Sequence, residues 1–180
     1  MDVRQLARSP QTRVGLLTFA CFSLGSTGWL LWFYHLTDLV SPPAADALTR
    51  VGGYLVQAAG LGTFALACHA RGPSRLRPLA LAAIVAFAIC LAPAGLASGL
   101  APTLDFGLLA NALCGLFQGY YLLCMAHHVE KDRRGLTFGT AYAASTIVSW
   151  LLATLGDGFL TRGAQGIAVC GALAIGAAIT

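Results

Sequence analysis

The chain has 180 residues, of which 57% are hydrophobic and only 10% are charged, and its mean hydropathy is +0.74. Soluble domains carry about 25% charged residues, so this composition excludes an ordinary soluble domain and favours an integral membrane protein in a lipid bilayer. The net charge of +4 does not indicate nucleic-acid contact within this segment, because the basic residues fall in short polar stretches between long apolar runs.

A membrane-spanning helix needs about 20 apolar residues, and the chain contains six runs of this kind. We predict an all-α, polytopic membrane protein with an N-terminal segment over 1–13 and one six-span domain over 14–180. The predicted spans are 14–36, 51–70, 79–100, 103–126, 136–155 and 165–180. Pro42 and Pro43 should break the chain between the first two spans, and Pro93 should kink or end the third. The short last span indicates a fragment truncated at its C-terminus.

Basic residues alternate between the two ends of the predicted spans. Nine belong to three stretches at one end, namely Arg4, Arg8 and Arg13, then Arg71, Arg75 and Arg77, then Lys131, Arg133 and Arg134. Only Arg50 and Arg162 fall at the other end. Cytoplasmic loops collect Lys and Arg, so we expect the N-terminus to lie in the cytoplasm and the protein to lie in the inner (plasma) membrane.

The most polar stretch is MAHHVEKDRRG, from Met125 to Gly135. His127 and His128 are neighbours and point about 100° apart on a helix, and a third ligand at a known spacing is missing. We interpret the stretch as the loop between the fourth and fifth spans, where it is also compatible with contact to anionic lipid. The six cysteines lie in apolar runs without a CxxC pair, so we expect no disulfide, no metal and no cofactor.

Two stripes of small residues recur at every fourth position and therefore share a helix face. The fourth span carries Gly107, Asn111, Gly115 and Gly119, and the fifth carries Ala141, Ser145, Ser149 and Ala153. Small residues let helix backbones approach closely, so we expect both spans to pack tightly against each other or against other spans. The sequence has no P-loop, nucleophile elbow or HExxH motif, and we do not expect an enzyme.

The order of elements resembles the N-terminal half of a major facilitator superfamily (MFS) transporter. Gln118–Gly119 and Arg134–Gly135 match the family's patterns in the fourth span and the following loop, although Gly115 stands where the family has Arg. The loop ALACHARGPSRLRP keeps the basic residues of the family's loop between the second and third spans but lacks its acid. With these departures, the chain is similar to the membrane domains of bacterial regulators that carry a LuxR-type helix-turn-helix domain.

The resemblance implies half of a small-solute transporter, with the substrate near the bilayer midplane between this half and a second six-span unit. That unit would be a missing C-terminal half or another copy. The uncharged polar residues that we expect to bind the solute are Ser26, Gln57, Asn111, Gln118, Tyr121, Tyr142 and Ser149. Two alternatives stay open: a membrane sensor domain whose DNA-binding part lies beyond residue 180, and a structural or assembly protein without a ligand.

Overall fold

The computed structural model describes residues 9–72, 75–155 and 162–180, and in these ranges the chain is helical with short connections. Six long helices follow one another: α1 (Pro10–Leu39), α2 (Pro42–Arg71), α3 (Arg77–Leu96), α4 (Leu100–His128), α5 (Arg134–Thr154) and α6 (Gly163–Ile179). Most of the predicted N-terminal segment, with Arg4 and Arg8, and most of the turn after the fifth predicted span lie outside the described residues.

Five of the helices, α1 to α5, are long and apolar enough to cross a membrane by length and composition. Helix α6 is also apolar but has only 17 residues. Many large apolar side chains point outward, among them Ile89, Ile147 and Ile175, each more than half exposed. The described chain therefore has the composition and the outward-facing apolar surface of a membrane protein.

Helix α2 begins nine residues before the predicted second span. Pro42 and Pro43 do end α1, as the sequence indicates, but they occupy the first turn of α2, where a proline costs no hydrogen bond. The predicted loop is thereby reduced to the link around Val40 and Ser41. A π-helical stretch over Leu48–Gly53 interrupts α2. Its prediction would require a signal for i→i+5 bonding, which no sequence pattern provides.

Pro93 lies inside the last turn of α3, which ends three residues later at Leu96. Its missing N–H removes a helical bond only near the end of the helix, so α3 stops soon after it. The chain then turns within 97–99 and enters α4. Of the two expected effects of Pro93, the structure thus shows an early end.

Helix α1 is the centre of the bundle and contacts α3, α4, α5 and α6. The six most extensive helix contacts are α3–α4, α2–α4, α1–α5, α1–α6, α1–α4 and α3–α6. If α1 is exchanged with α4, α2 with α5 and α3 with α6, the same six pairs result. The bundle therefore consists of two three-helix units with equivalent main contacts.

The ends of four helices meet at one end of the bundle, because Pro10, Arg77, His128 and Thr180 line the same cavity. Helices α1 and α3 begin there, whereas α4 and α6 end there. Consecutive helices thus alternate in direction, and corresponding helices of the two three-helix units run in opposite directions. The basic stretches at the starts of α1 and α3 share this end with the polar connection after α4.

The connection between α4 and α5 is short and internally bonded. The side chain of Arg134, the first residue of α5, donates from Nε to the carbonyl oxygen of Val129 at 3.0 Å. It also donates from a terminal nitrogen to the carbonyl oxygen of Ala126 at 2.6 Å. An exposed ion pair joins Arg133 to Glu130 at 3.1 Å. Arg134 therefore satisfies carbonyl groups at the end of α4 that have no helical partner.

Candidate functional site

The candidate solute-binding residues lie where α1 and α4 cross between α2 and α5. The crossing is close, since a Cβ added at Gly25 of α1 would lie 3.0 Å from the sulfur of Cys114 in α4. On one side of this crossing the candidates come from α2 and α4, and on the other side they come mainly from α1 and α5. We call this region the polar face and define it by Phe22, Ser26, Gln57, Gln118, Tyr142 and Ser149.

On the α2–α4 side, two amide side chains share one sulfur atom. Gln57 Nε2 lies 3.9 Å from Cys114 Sγ, and Gln118 Nε2 lies 3.4 Å from the same atom. Both glutamines are partly exposed, and sulfur is a weak acceptor. Within the described residues neither side-chain carbonyl oxygen has a partner. These two residues therefore keep most of their hydrogen-bonding capacity for another molecule.

On the α1–α5 side, two hydroxyl groups meet. Ser26 Oγ and Ser149 Oγ form a short hydrogen bond, and Ser26 Oγ also donates to the carbonyl oxygen of Phe22 at 2.7 Å. Ser149 is 5% exposed, whereas Ser26 is partly exposed. A serine hydroxyl has one donor and two acceptor positions, so the partly exposed Ser26 keeps one acceptor position for a further hydrogen bond.

An aromatic cluster lies one turn along from the serine pair. The ring of Phe22 lies 5.2 Å from Tyr121, 5.4 Å from Phe138 and 5.2 Å from Tyr142, measured between centroids. Phe138 and Tyr142 stack with each other at 6.4 Å. The cluster joins α1, α4 and α5. Tyr121 is almost fully buried in it, whereas Tyr142 is 52% exposed, so only the second tyrosine is open to a ligand.

Asn111 is enclosed between helices α4 and α2. Its side chain is 7% exposed and donates from Nδ2 to the carbonyl oxygen of Gly107 at 2.8 Å, within α4. Its Oδ1 faces Gly53 in the π-helical stretch of α2. Of the seven candidates, Asn111, Tyr121 and Ser149 are thus buried, and the other four are at least partly exposed at the polar face.

The small-residue stripe of α4 lies against α2 and α1. A Cβ added at Gly115 would overlap the carbonyl oxygen of Gln57, and one at Gly119 would overlap the ring of Phe64. A Cβ at Gly107 would overlap the indole of Trp32 in α1. Trp32 is 1% exposed and donates from Nε1 to the carbonyl oxygen of Thr103 at 3.0 Å. These contacts set the distance between the helices.

The stripe of α5 faces α1, which among the described residues is the only helix that α5 contacts extensively. Ala141, Ser145 and Ser149 are buried, and Ala153 is partly exposed. Within the described ranges, helices α4 and α5 have no extensive contact with each other. Of the two arrangements that the sequence leaves open, the structure therefore shows packing of each stripe against other helices.

Trp29 is a residue of this region that the sequence did not group with the solute-binding candidates. Its ring stacks on Phe33 with 5.3 Å between centroids, and its buried Nε1 has no partner among the described residues. Phe22, Ser26, Trp29 and Phe33 follow at helical spacing and lie on one stripe of α1. This spacing is the signal by which Trp29 could have been grouped with Ser26.

The two histidines of the polar connection, His127 and His128, are exposed at the end of α4. In the part of the chain that the structure describes, no three His, Cys, Asp or Glu side chains come together in a way that could hold a metal ion. The six side chains that define the polar face are all uncharged. Their chemistry is that of hydrogen bonding and aromatic contact.

Comparisons of the chain with protein-family models, with curated proteins and with solved structures returned no match. The resemblance to facilitator proteins therefore rests on the quoted motifs and stays a prediction. Any assignment of function has to be argued from the polar face and from the arrangement of the six helices.

Proposed function

We propose that this chain is a facilitator-type six-helix half of a small-solute transporter, and that the solute binds at the polar face. The observation that carries the proposal is the position of this face between α2 and α5, the two least buried helices that are long enough to cross a membrane. In the most apolar part of each helix, only 17% of the residues of α2 and 22% of those of α5 are buried, against 56% of those of α1.

The equivalence of the two three-helix units supports the proposal. In facilitator halves, two three-helix repeats of opposite topology are nested in each six-helix unit. The six main contacts of this bundle map onto one another under exchange of its units, and corresponding helices run in opposite directions. Opposite directions follow from the alternation of any six helices, so the support comes from the matching pattern of contacts.

The exposed sides of α2 and α5 supply the surface for a second six-helix unit. Tyr54, Leu55 and Leu66 on α2 and Tyr142 and Trp150 on α5 are all more than half exposed. A second unit seated on these two helices would close the polar face into a cavity at the interface, where transporter substrates bind. The unit is a C-terminal half or another copy of this chain.

The side chains of the polar face define the class of solute. Gln57 and Gln118 offer amide groups, Ser26 offers a hydroxyl that Ser149 orients, and Phe22 offers an aromatic surface. Such a set suits a small uncharged or amphipathic molecule, because an ionic one would leave its charge without a counter-charge in this half. We place the protein in the inner (plasma) membrane with its N-terminus in the cytoplasm, on the distribution of basic residues.

A ligand screen on the full gene product in lipid nanodiscs tests the proposal. Neutral and amphipathic solutes are added one at a time, and thermal unfolding is followed. A solute present at about 100 times its Kd should stabilise the protein by about 2.7 kcal/mol. Gln118→Leu should abolish this stabilisation. Thr63→Val is the matched control, because Thr63 is exposed on α2 and its hydroxyl bonds within its own helix.

Uptake of the same solute into proteoliposomes then separates the two leading functions. Flux that Gln118→Leu removes and Thr63→Val preserves supports transport. Binding without flux favours the sensor domain instead. If the solute stabilises Gln118→Leu and Gln57→Leu as much as the wild-type protein, the polar face is not the binding site and the proposal fails.

A further inference from the structure

A cavity of about 380 Å³ lies at the end of the bundle where α1 and α3 begin and α4 and α6 end. None of the residues that define the polar face lines it. The cavity is therefore a separate site, and its ligand is independent of the proposed transport function.

Basic side chains border the mouth of this cavity. Arg13 of α1, Arg77 of α3 and His128 of α4 all line it, and the phenol of Tyr120 lies among them. Among the described residues no carboxylate side chain is in the lining, and the two described ion pairs involve Arg50 and Arg133 instead. Two guanidinium groups at one cavity that no described carboxylate side chain lines make a site for an anion, and arginine suits phosphate because its planar donors bind two oxygens at once.

The wall below the arginines is apolar. Val14 and Leu17 of α1 and Ala80 and Ile84 of α3 are buried behind this wall, and the partly exposed Leu81 lines it together with Ala177. From Arg77 to Ile84 the wall extends over seven residues, or about 10 Å along α3. The site therefore joins a cationic mouth to a strip of hydrocarbon.

Helix dipoles do not decide the sign of the charge that binds here. Two helices begin at the cavity and two end there, so their partial charges offset one another. The preference for an anion comes from Arg13 and Arg77, with His128 beside them. This assignment of roles makes the two arginines the residues to test.

We propose that the cavity binds an anionic phospholipid, with its phosphate between Arg13 and Arg77 and one acyl chain along the apolar wall at Leu81. Basic pockets between membrane helices are suited to anionic lipid headgroups. The ligand comes from the leaflet at the basic end of the bundle. It ties α1, α3, α4 and α6 together at that end.

Native mass spectrometry and thermal unfolding of the full gene product in neutral detergent test this proposal. Phosphatidylglycerol should bind and raise the unfolding temperature, whereas phosphatidylcholine and inorganic phosphate should do so far less. Replacing both arginines, as Arg13→Gln with Arg77→Gln, should weaken phosphatidylglycerol binding about 25-fold, about fivefold for each arginine. Arg71→Gln with Arg75→Gln is the matched control, since both residues are exposed near the same bundle end but do not line the cavity.

Each contrary outcome overturns a defined part of the proposal. Equal losses in the two double variants mean a diffuse charge effect and no site. Equal binding of both lipids removes recognition of an anion, and equal stabilisation by inorganic phosphate means a free-anion site without a lipid. Leu81→Trp, which narrows the apolar wall and keeps both arginines, should weaken lipid binding, and unchanged binding contradicts the acyl-chain position. If the double variant does not fold, Arg77→Gln alone is measured against Arg75→Gln.

Discussion

The α2–α4 and α1–α5 interfaces occupy equivalent places in the two three-helix units, yet they are built differently. Between α2 and α4 the backbones touch, because Gly60 lies against the carbonyl oxygen of Ala112 and Gly115 lies against that of Gln57. Between α1 and α5 side chains make the contact, through Ser26 with Ser149 and through the ring of Phe22. Glycines that let the backbones meet thus join α2 to α4, whereas interlocking side chains join α1 to α5.

This difference predicts different tolerance to change and to motion. A backbone contact has no rotatable group that could yield, so a single added carbon forces the helices apart. An interface of hydroxyl and aromatic groups can change rotamers and exchange hydrogen bonds while its helices stay in place. We therefore expect α2 to be fixed on α4, and the α1–α5 side to be the adaptable side of the polar face.

The largest effect should follow from one carbon atom at the α2–α4 interface. Gly115→Ala places a Cβ on the backbone oxygen of Gln57, and we expect a loss of about 3 kcal/mol in the free energy of unfolding. Unfolding in mixed micelles, followed by circular dichroism, measures it. Gly62→Ala is the control on α2, because its added Cβ meets no other described side chain or helix within 4 Å, and it should not lower the free energy of unfolding. Equal effects of the two variants would show that the backbone contact at Gly115 does not contribute to stability.

A smaller effect is expected where rings make the interface. Phe22→Leu keeps an apolar side chain in α1 but removes three ring pairs, which we expect to cost about 2 kcal/mol. Phe106→Leu serves as control, since Phe106 is 39% exposed and has no ring partner among the described residues. The same unfolding assay applies. A loss as large as that of Gly115→Ala would contradict the distinction between a rigid and an adaptable interface.

The smallest effect should come from the hydroxyl pair. Ser149→Ala removes one hydrogen bond between α1 and α5 and should lower stability by only about 0.6 kcal/mol. Thr146→Val is the control on the same helix, because the Thr146 hydroxyl donates to the carbonyl oxygen of Tyr142 within α5. A double-mutant cycle with Ser26→Ala isolates the pair. No coupling between Ser26 and Ser149 in that cycle would show that the contact contributes nothing.

The sequence predicted the helical architecture because apolar runs and prolines are local signals. Six runs became six helices, and Pro42 marked the break between the first two. The boundary of α2 was shifted because a proline pair that ends one helix can equally begin the next. The π-helical stretch over Leu48–Gly53 ends at Gly53, which lies against Trp32 and Asn111, and no local sequence signal marks it.

The candidate site was predictable in its residue types and less so in its grouping. Gln57 and Gln118 stand 61 positions apart in the sequence, and they meet only because Gly115 and Gly60 let α2 approach α4. Cys114, which both amides approach, was not grouped with the solute-binding candidates. Asn111 could not be told from a ligand-binding residue by type, since its bond to the Gly107 carbonyl depends on the buried environment of α4.

The π-helical stretch of α2 also determines where this helix can tolerate a change in length. A π-helical turn holds one residue more than an α-helical turn, so the stretch can lose one residue by tightening while the segments on both sides keep their places. A deletion just before Gly60 would instead rotate the rest of α2 by about 100° and move Gly60 away from its contact with α4. Among descendants of this gene, insertions and deletions within α2 should accordingly occur only at residues 48–53, because this stretch can gain or lose one residue without rotating the rest of the helix.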